Sequence, residues 1–170
     1  LYITGAGYAA FEEGYVDVGF DIPEESEPNN LISVLTKYQY YSSSAVYYRN
    51  YSTHFVIQWN NLKDGNGGAY TFEAVLYPNG NIKFQYKTLP DPNQGWWCST
   101  AGIENATGFD GLPFWKRCYR PTTSGTAVLF TRPGPSARVG ANPLYLGEFA
   151  YALDVDEFSF TLTNTGNLGA

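Results

Sequence analysis

Methionine is absent from this chain of 170 residues, histidine occurs once and cysteine twice. A zinc site takes about four nitrogen or sulfur ligands at set spacings, and His54, Cys98 and Cys118 do not offer that set. A Ser-His-Asp triad would have to use His54, which opens the alternating run Phe55-Val56-Ile57-Gln58-Trp59 and reads as a surface residue at a strand start. Charge is also scarce, at 15% of residues, and cations are scarcer: ten Lys and Arg against sixteen Asp and Glu, a net charge of −6. No basic stripe exists to release counterions from a phosphate backbone, which excludes nucleic acid as a partner. No apolar run approaches the ~20 residues of a membrane-spanning helix. No leader segment is visible either, since the chain opens on the strand-like Leu1-Tyr2-Ile3-Thr4, as a processed or cut chain would.

No phosphate-cradling loop follows a strand and opens a helix; Gly65-Asn66-Gly67-Gly68 reads as a flexible turn. The pairs Glu12-Glu13 and Glu24-Glu25 sit beside turn residues as solvated loop acids, although two carboxylates from distant strands are what a glycosidase uses. Asp154, Asp156 and Glu157 are hard oxygen ligands for calcium. They come from one segment, whereas calcium takes six or more oxygens from several. No catalytic residue, metal site or cofactor is therefore assigned.

Aromatics and turn formers are plentiful. The chain holds 15 tyrosines, 11 phenylalanines and 4 tryptophans, with 18 glycines and 10 prolines. That is the composition of an all-β chain with many turns. Helical periodicity is nowhere sustained. Alternating runs predict strands near 1–4, 8–12, 15–20, 31–37, 45–49, 53–60, 69–77, 81–88, 98–104, 112–119, 126–131, 148–153 and 157–163. The expected fold is an antiparallel two-sheet sandwich of jelly-roll-like form, with a C-terminal β segment available to a neighbouring subunit.

Two hairpins carry register information. Between Tyr70–Tyr77 and Asn81–Lys87 stands Pro78-Asn79-Gly80. A two-residue Asn-Gly loop would put Leu76, Ala74 and Phe72 on one face with Lys83, Gln85 and Lys87. A three-residue loop pairs Leu76 with Ile82, Ala74 with Phe84 and Phe72 with Tyr86, and sets Val75, Glu73 and Thr71 against Lys83, Gln85 and Lys87. Only the second register separates core from solvent, so a type I turn with left-handed Gly80 is expected. Phe55, Ile57 and Trp59 face the same core. The second hairpin folds about Gly108, from which Cys98 and Cys118 are equidistant. That places the cysteines opposite each other, favouring a cross-strand disulfide and an oxidising compartment over two free cytosolic thiols.

Asn50-Tyr51-Ser52 and Asn105-Ala106-Thr107 are sequons for covalent glycan at strand ends or turns. The pattern breaks after Phe130. The segment from Arg132 to Asn142-Pro143 is a Pro- and Gly-rich linker, so the chain divides into a sandwich domain at 1–131, a linker at 132–147 and a strand segment at 148–170. The last stretch is too short for its own core. Its run from Glu157 to Thr163 alternates, with Phe158, Phe160 and Leu162 on one side. It can fold back on 1–131, begin a further module, or enter a neighbouring copy.

Several segments resemble a bacterial secreted β-sandwich module similar in pattern to nidogen-type extracellular domains. These are Leu1-Tyr2-Ile3-Thr4-Gly5-Ala6-Gly7-Tyr8-Ala9-Ala10-Phe11, Glu27-Pro28-Asn29-Asn30-Leu31-Ile32, Phe55 to Asn61, Tyr70 to Tyr86, and Thr100 to Leu112. Phe158 to Gly166 resembles the first strand of the immunoglobulin-like modules that commonly follow. The family's Trp-Asp-Asp is replaced here by Ser33-Val34-Leu35-Thr36-Lys37, so no ligand role of those acids carries over. The family module also begins a strand or two before the position of Leu1. The resemblance implies a non-catalytic extracellular or cell-surface protein. An incomplete sheet and an orphan strand in one chain imply a fibre subunit assembled by strand exchange between copies, with Phe158, Phe160 and Leu162 as donor residues. The alternative is a carbohydrate-binding or accessory module of a secreted enzyme, with Tyr38, Tyr40, Tyr41, Tyr47, Tyr48, Tyr51, Trp96, Trp97 and Trp115 as candidate sugar platforms.

Overall fold

The computed structural model describes residues 1–12, 21–37, 41–64, 67–90, 99–116 and 123–132. The expected strands at 15–20, 148–153 and 157–163 lie outside them, as do the linker, Asp154, Asp156, Glu157, Cys98, Cys118, Phe158, Phe160 and Leu162. Leu1–Arg132 form one compact unit.

That unit is an all-β sandwich of two antiparallel five-stranded sheets. The first sheet contains β1 (Tyr2–Ile3), β2 (Tyr8–Ala10), β3 (Leu31–Lys37), β8 (Ser99–Glu104) and β9 (Gly111–Trp115), in the order β1-β2-β3-β8-β9. The second contains β4 (Tyr41–Asn50), β5 (Phe55–Asp64), β6 (Ala69–Leu76), β7 (Ile82–Thr88) and β10 (Thr126–Phe130), in the order β10-β7-β6-β5-β4. β4 to β7 run as a meander, and β10 joins the free side of β7.

Alternation along the meander builds the core. Trp59, Phe72 and Tyr86 form one row across β5, β6 and β7, and Ile57, Ala74 and Phe84 form the next; all six are buried. The three-residue turn is present: Leu76 faces Ile82, Ala74 faces Phe84, Phe72 faces Tyr86, and Gly80 has φ 85°. One expected pair is corrected. A register shift beyond Phe72 sets Thr71 against Thr88 rather than Lys87. In the second hairpin Ala101 faces Trp115, as folding about Gly108 requires, but a register shift then pairs Gly102 with Pro113 and Ile103 with Leu112.

Two buried polar atoms cross the core. The Trp59 indole N–H donates to the Thr4 carbonyl at 2.7 Å, and the Tyr86 hydroxyl donates to the Val34 carbonyl at 2.9 Å. Burial pushes the Tyr86 phenol well above its ordinary pKa, which keeps the proton it donates.

The first sheet is covered on its other face as well. Tyr8, Ala10 and Leu31 pack there with Ile22, whose loop lies over the sheet. β3 is consequently buried from Leu31 to Thr36, on both faces. Its bulge is held by Gly7, whose carbonyl accepts the N–H groups of both Val34 and Leu35 at 3.1 Å. Gly7 has φ 94°, and a Cβ there would stand 2.2 Å from the Leu35 carbonyl oxygen. At Gly80 the nearest atom to an added Cβ is Cδ of the flexible Arg132 side chain, at 3.1 Å. Gly7→Ala is therefore expected to cost more than about 3 kcal/mol, and Gly80→Ala about 1 kcal/mol from its left-handed backbone alone. Denaturant unfolding of the two variants checks the ranking; equal losses would contradict it.

Candidate functional site

Two surfaces stand out, one on each side of the second sheet. The solvent face of that sheet carries every second residue of its strands. Tyr47, Gln58, Glu73, Gln85 and Ala127 make one row across β4, β5, β6, β7 and β10. Arg49, Val56, Val75, Lys83 and Leu129 make the next. At the end of the face the Tyr51 and His54 rings stack with centroids 4.6 Å apart, and Tyr77 lies 6.0 Å beyond His54. The Arg49 guanidinium sits 4.8 Å over the Tyr51 ring, within cation–π range. Glu73 accepts from Gln58 Nε2 at 3.3 Å on one oxygen and from Gln85 Nε2 on the other. Apart from Ala127 and Leu129, these side chains line a concavity of about 580 Å³.

Of the aromatics expected as sugar platforms, Tyr47 is exposed on this face, Tyr48 is exposed on β4 in register with buried Ile57, and Tyr51 is exposed just beyond β4. Trp115 is not a platform. It is buried against Tyr86 and its indole donates to Ser99 Oγ at 3.1 Å. Its place opposite Ala101, a core position, turns the ring inward. Trp96, Trp97, Tyr38 and Tyr40 lie outside the described residues. His54 lies in the β4–β5 turn, its carbonyl accepting the Tyr51 N–H and its Nδ1 meeting Thr53 Oγ1 at 2.9 Å.

The second surface is the seam where β9 and β10, the edge strands on one flank, leave the core half covered. Ile3, Ala9, Ile32, Ile103 and Leu112 form one core-facing row across all five strands of the first sheet. Ala9 and Ile32 are buried, Ile103 is half-buried and Leu112 is 59% exposed. On the opposing sheet Ile82 and Phe130 are half-buried, and Phe114 on β9 likewise. A crevice of about 440 Å³ opens among Ile32, Ile103, Leu112 and Ile82.

The four sheet edges differ. β1 has two residues. β9 carries Pro113 and a register shift, and β4 has two register shifts. Each device blunts an edge against further pairing. β10 is Thr126-Ala127-Val128-Leu129-Phe130, in unbroken register with β7, with no proline, charge or bulge.

Glu104 lies at the crevice, 8% exposed, and accepts the Glu24 N–H at 2.8 Å. Desolvation is the main cause that raises its carboxyl to about 7; the Glu24 and Glu27 charges add to it, while the Glu24 N–H and Lys116 oppose it. No local signal distinguishes Glu104 in the sequence, because the groups beside it come from distant segments, Glu24 in a loop and Gly111 on β9. Of the sequon residues, Asn50 is exposed at the end of β4. Asn105 is engaged in its turn: Oδ1 accepts from the N–H groups of Thr107 and Asp110, and Nδ2 donates to Asp110 Oδ2 at 3.2 Å. Among the described residues no cluster of His, Cys, Asp or Glu has the makings of a metal site, and no helix is long and apolar enough to cross a membrane.

The chain matches no known protein family, no curated protein and no solved structure.

The raised carboxyl makes stability depend on pH. The fold favours protonated Glu104, so its contribution is whole below the ordinary carboxylate range and fades as the pH rises through about 7. Glu104→Gln keeps an acceptor for the Glu24 N–H without the ionisation. It is expected to flatten the fall in melting temperature between pH 5 and 8, gaining on the order of 2 kcal/mol over the wild type at pH 8. Parallel melting curves that keep the wild-type slope would refute the assignment.

Proposed function

We propose that the chain is a non-catalytic subunit of an extracellular or cell-surface fibre, joined to its neighbours by strand addition at the β10 edge. The observation that carries this reading is the unblunted β10 strand beside a core row that ends on exposed Leu112. A strand added there would extend the second sheet and lay its inward side chains over Phe130, Ile82 and Ile103. The donor is the segment Glu157 to Thr163 of another copy, whose Phe158, Phe160 and Leu162 repeat at the ~6.6 Å spacing of one strand face. Donor and acceptor are different surfaces, so each copy has both and assembly is open-ended. Apolar burial of the three large side chains and the seam, at ~25 cal/mol per Å², offsets part of the cost of ordering the strand, and the backbone hydrogen bonds to β10 add to it.

The extracellular setting rests on the cysteines and the resemblance to secreted nidogen-type modules. Ala101 faces Trp115, and Cys98 and Cys118 stand at equal offset from that pair, which supports a disulfide between them. Exposed Asn50 is the better placed glycan acceptor.

Light scattering of the full chain is expected to show concentration-dependent polymers that Phe158→Asp with Phe160→Asp reduces to monomers of unchanged circular dichroism and melting temperature. A wild type that stays monomeric at high concentration would sink the fibre. So would a double variant that melts earlier as a monomer, since that outcome places the strand in its own chain. Alkylation of the unfolded chain is expected to label Cys98 and Cys118 only after reduction; labelling without reductant rejects the disulfide.

A further inference from the structure

We propose that the solvent face of the second sheet binds an acidic saccharide, one bearing carboxylates on a chain of sugar rings. The observations behind this are independent of the seam and of strand addition.

The floor of the concavity is apolar: Val56 and Val75 lie side by side, and Val75 is only 4% exposed although it is on the solvent face. Beside the floor runs the polar row Gln58, Glu73 and Gln85. Each glutamine gives one amide hydrogen to Glu73, which orients all three planar groups and leaves each amide a second hydrogen and its own oxygen. Fixed planar donors and acceptors of this kind match neighbouring hydroxyl groups, which both give and take hydrogen bonds. Tyr47, 57% exposed, stands at one end of the polar row, and the Tyr51–His54 stack stands at the end of the face. Flat apolar rings with a polar rim suit the C–H faces of sugars. An ordered aromatic and amide surface of this size falls in the range of small-ligand sites.

Charge selects the class. Arg49 and Lys83 occupy the two ends of the Val56–Val75 row, three strand spacings or about 14 Å apart. Among the described residues Glu73 is the one carboxylate lining the concavity, so they give the site more positive than negative charge in a chain whose net charge is −6. Arg49 sits over the Tyr51 ring, and its guanidinium carries five N–H donors, a pair of which matches a carboxylate. A neutral sugar would leave both cations unanswered. An acidic peptide would answer the cations but not the hydroxyl-matching row.

Titration calorimetry on the full chain tests this with three probes: tetragalacturonate, a neutral galactose tetrasaccharide and a poly-glutamate peptide. The acidic saccharide is expected to bind at least about tenfold more tightly than either other probe. Tyr47→Ala is expected to weaken it about tenfold, and Arg49→Gln to remove its advantage over the neutral sugar, both with unchanged melting temperature. If either variant is destabilised, hydrogen exchange on the wild type decides: the saccharide should protect β5, β6 and β7 on this face and leave β9 unaffected. Silence with all probes, equal binding of poly-glutamate or of the neutral sugar, or indifference to both substitutions overturns the proposal. Running the same titration on the Phe158→Asp, Phe160→Asp variant separates it from the fibre reading, because binding should survive there.

Discussion

Two hydrogen bonds across the core hold the remaining geometry in place. Trp59 and Tyr86 are among the largest buried side chains of the second sheet's inner face, and each sends its single polar hydrogen to a backbone carbonyl of the first sheet's half of the sandwich. Apolar packing is non-directional and tolerates sliding of one sheet over the other. A buried donor that loses its acceptor costs roughly 1–3 kcal/mol, so these two bonds penalise every other offset. With the offset fixed, β9 comes to lie over Tyr86, where Phe114 and Trp115 pack on its ring at 6.5 Å and 5.4 Å.

The position of β9 then decides where the core is thin. Burial along the row from Ala9 to Leu112 falls off as the row leaves the overlap of the two sheets. The chain tolerates the gap because the large rings at Trp59, Phe72, Phe84 and Tyr86 are all sealed elsewhere. The same sheet that is apolar inside is polar outside, so one set of strands carries both the unblunted β10 edge and the outer face of Gln58, Glu73 and Gln85. The two are geometrically separate: one is reached along the β10 backbone, the other across the side chains of β5, β6 and β7.

How much of this is legible in the chain depends on range. The β6–β7 hairpin was legible from Phe72 to Tyr86, because only a three-residue turn keeps Phe72, Ala74 and Leu76 with Tyr86, Phe84 and Ile82; the shift that sets Thr71 against Thr88 was not. The strand at Leu31–Lys37 was legible as an apolar run, but burial on both faces was not, since Ile22 arrives from a loop with no periodicity of its own. Trp115 misled for a related reason. An aromatic residue in a strand looks alike whether it faces water or core, and only its pairing with Ala101 settles the side.

Alternation and turn chemistry, which act over a few residues, determined the all-β class, the strands of the meander and the register of its β6–β7 hairpin from Phe72 to Tyr86 from the sequence alone. Burial of Glu104, exposure of Leu112, the lone unguarded edge among the described strands and the gathering of Arg49, Glu73 and Lys83 on one face were decided by tertiary structure. Each depends on which distant strand or loop lies alongside, and that is set by the cross-core bonds and the order of strands in the sheets, for which no local pattern in the chain stands as a marker.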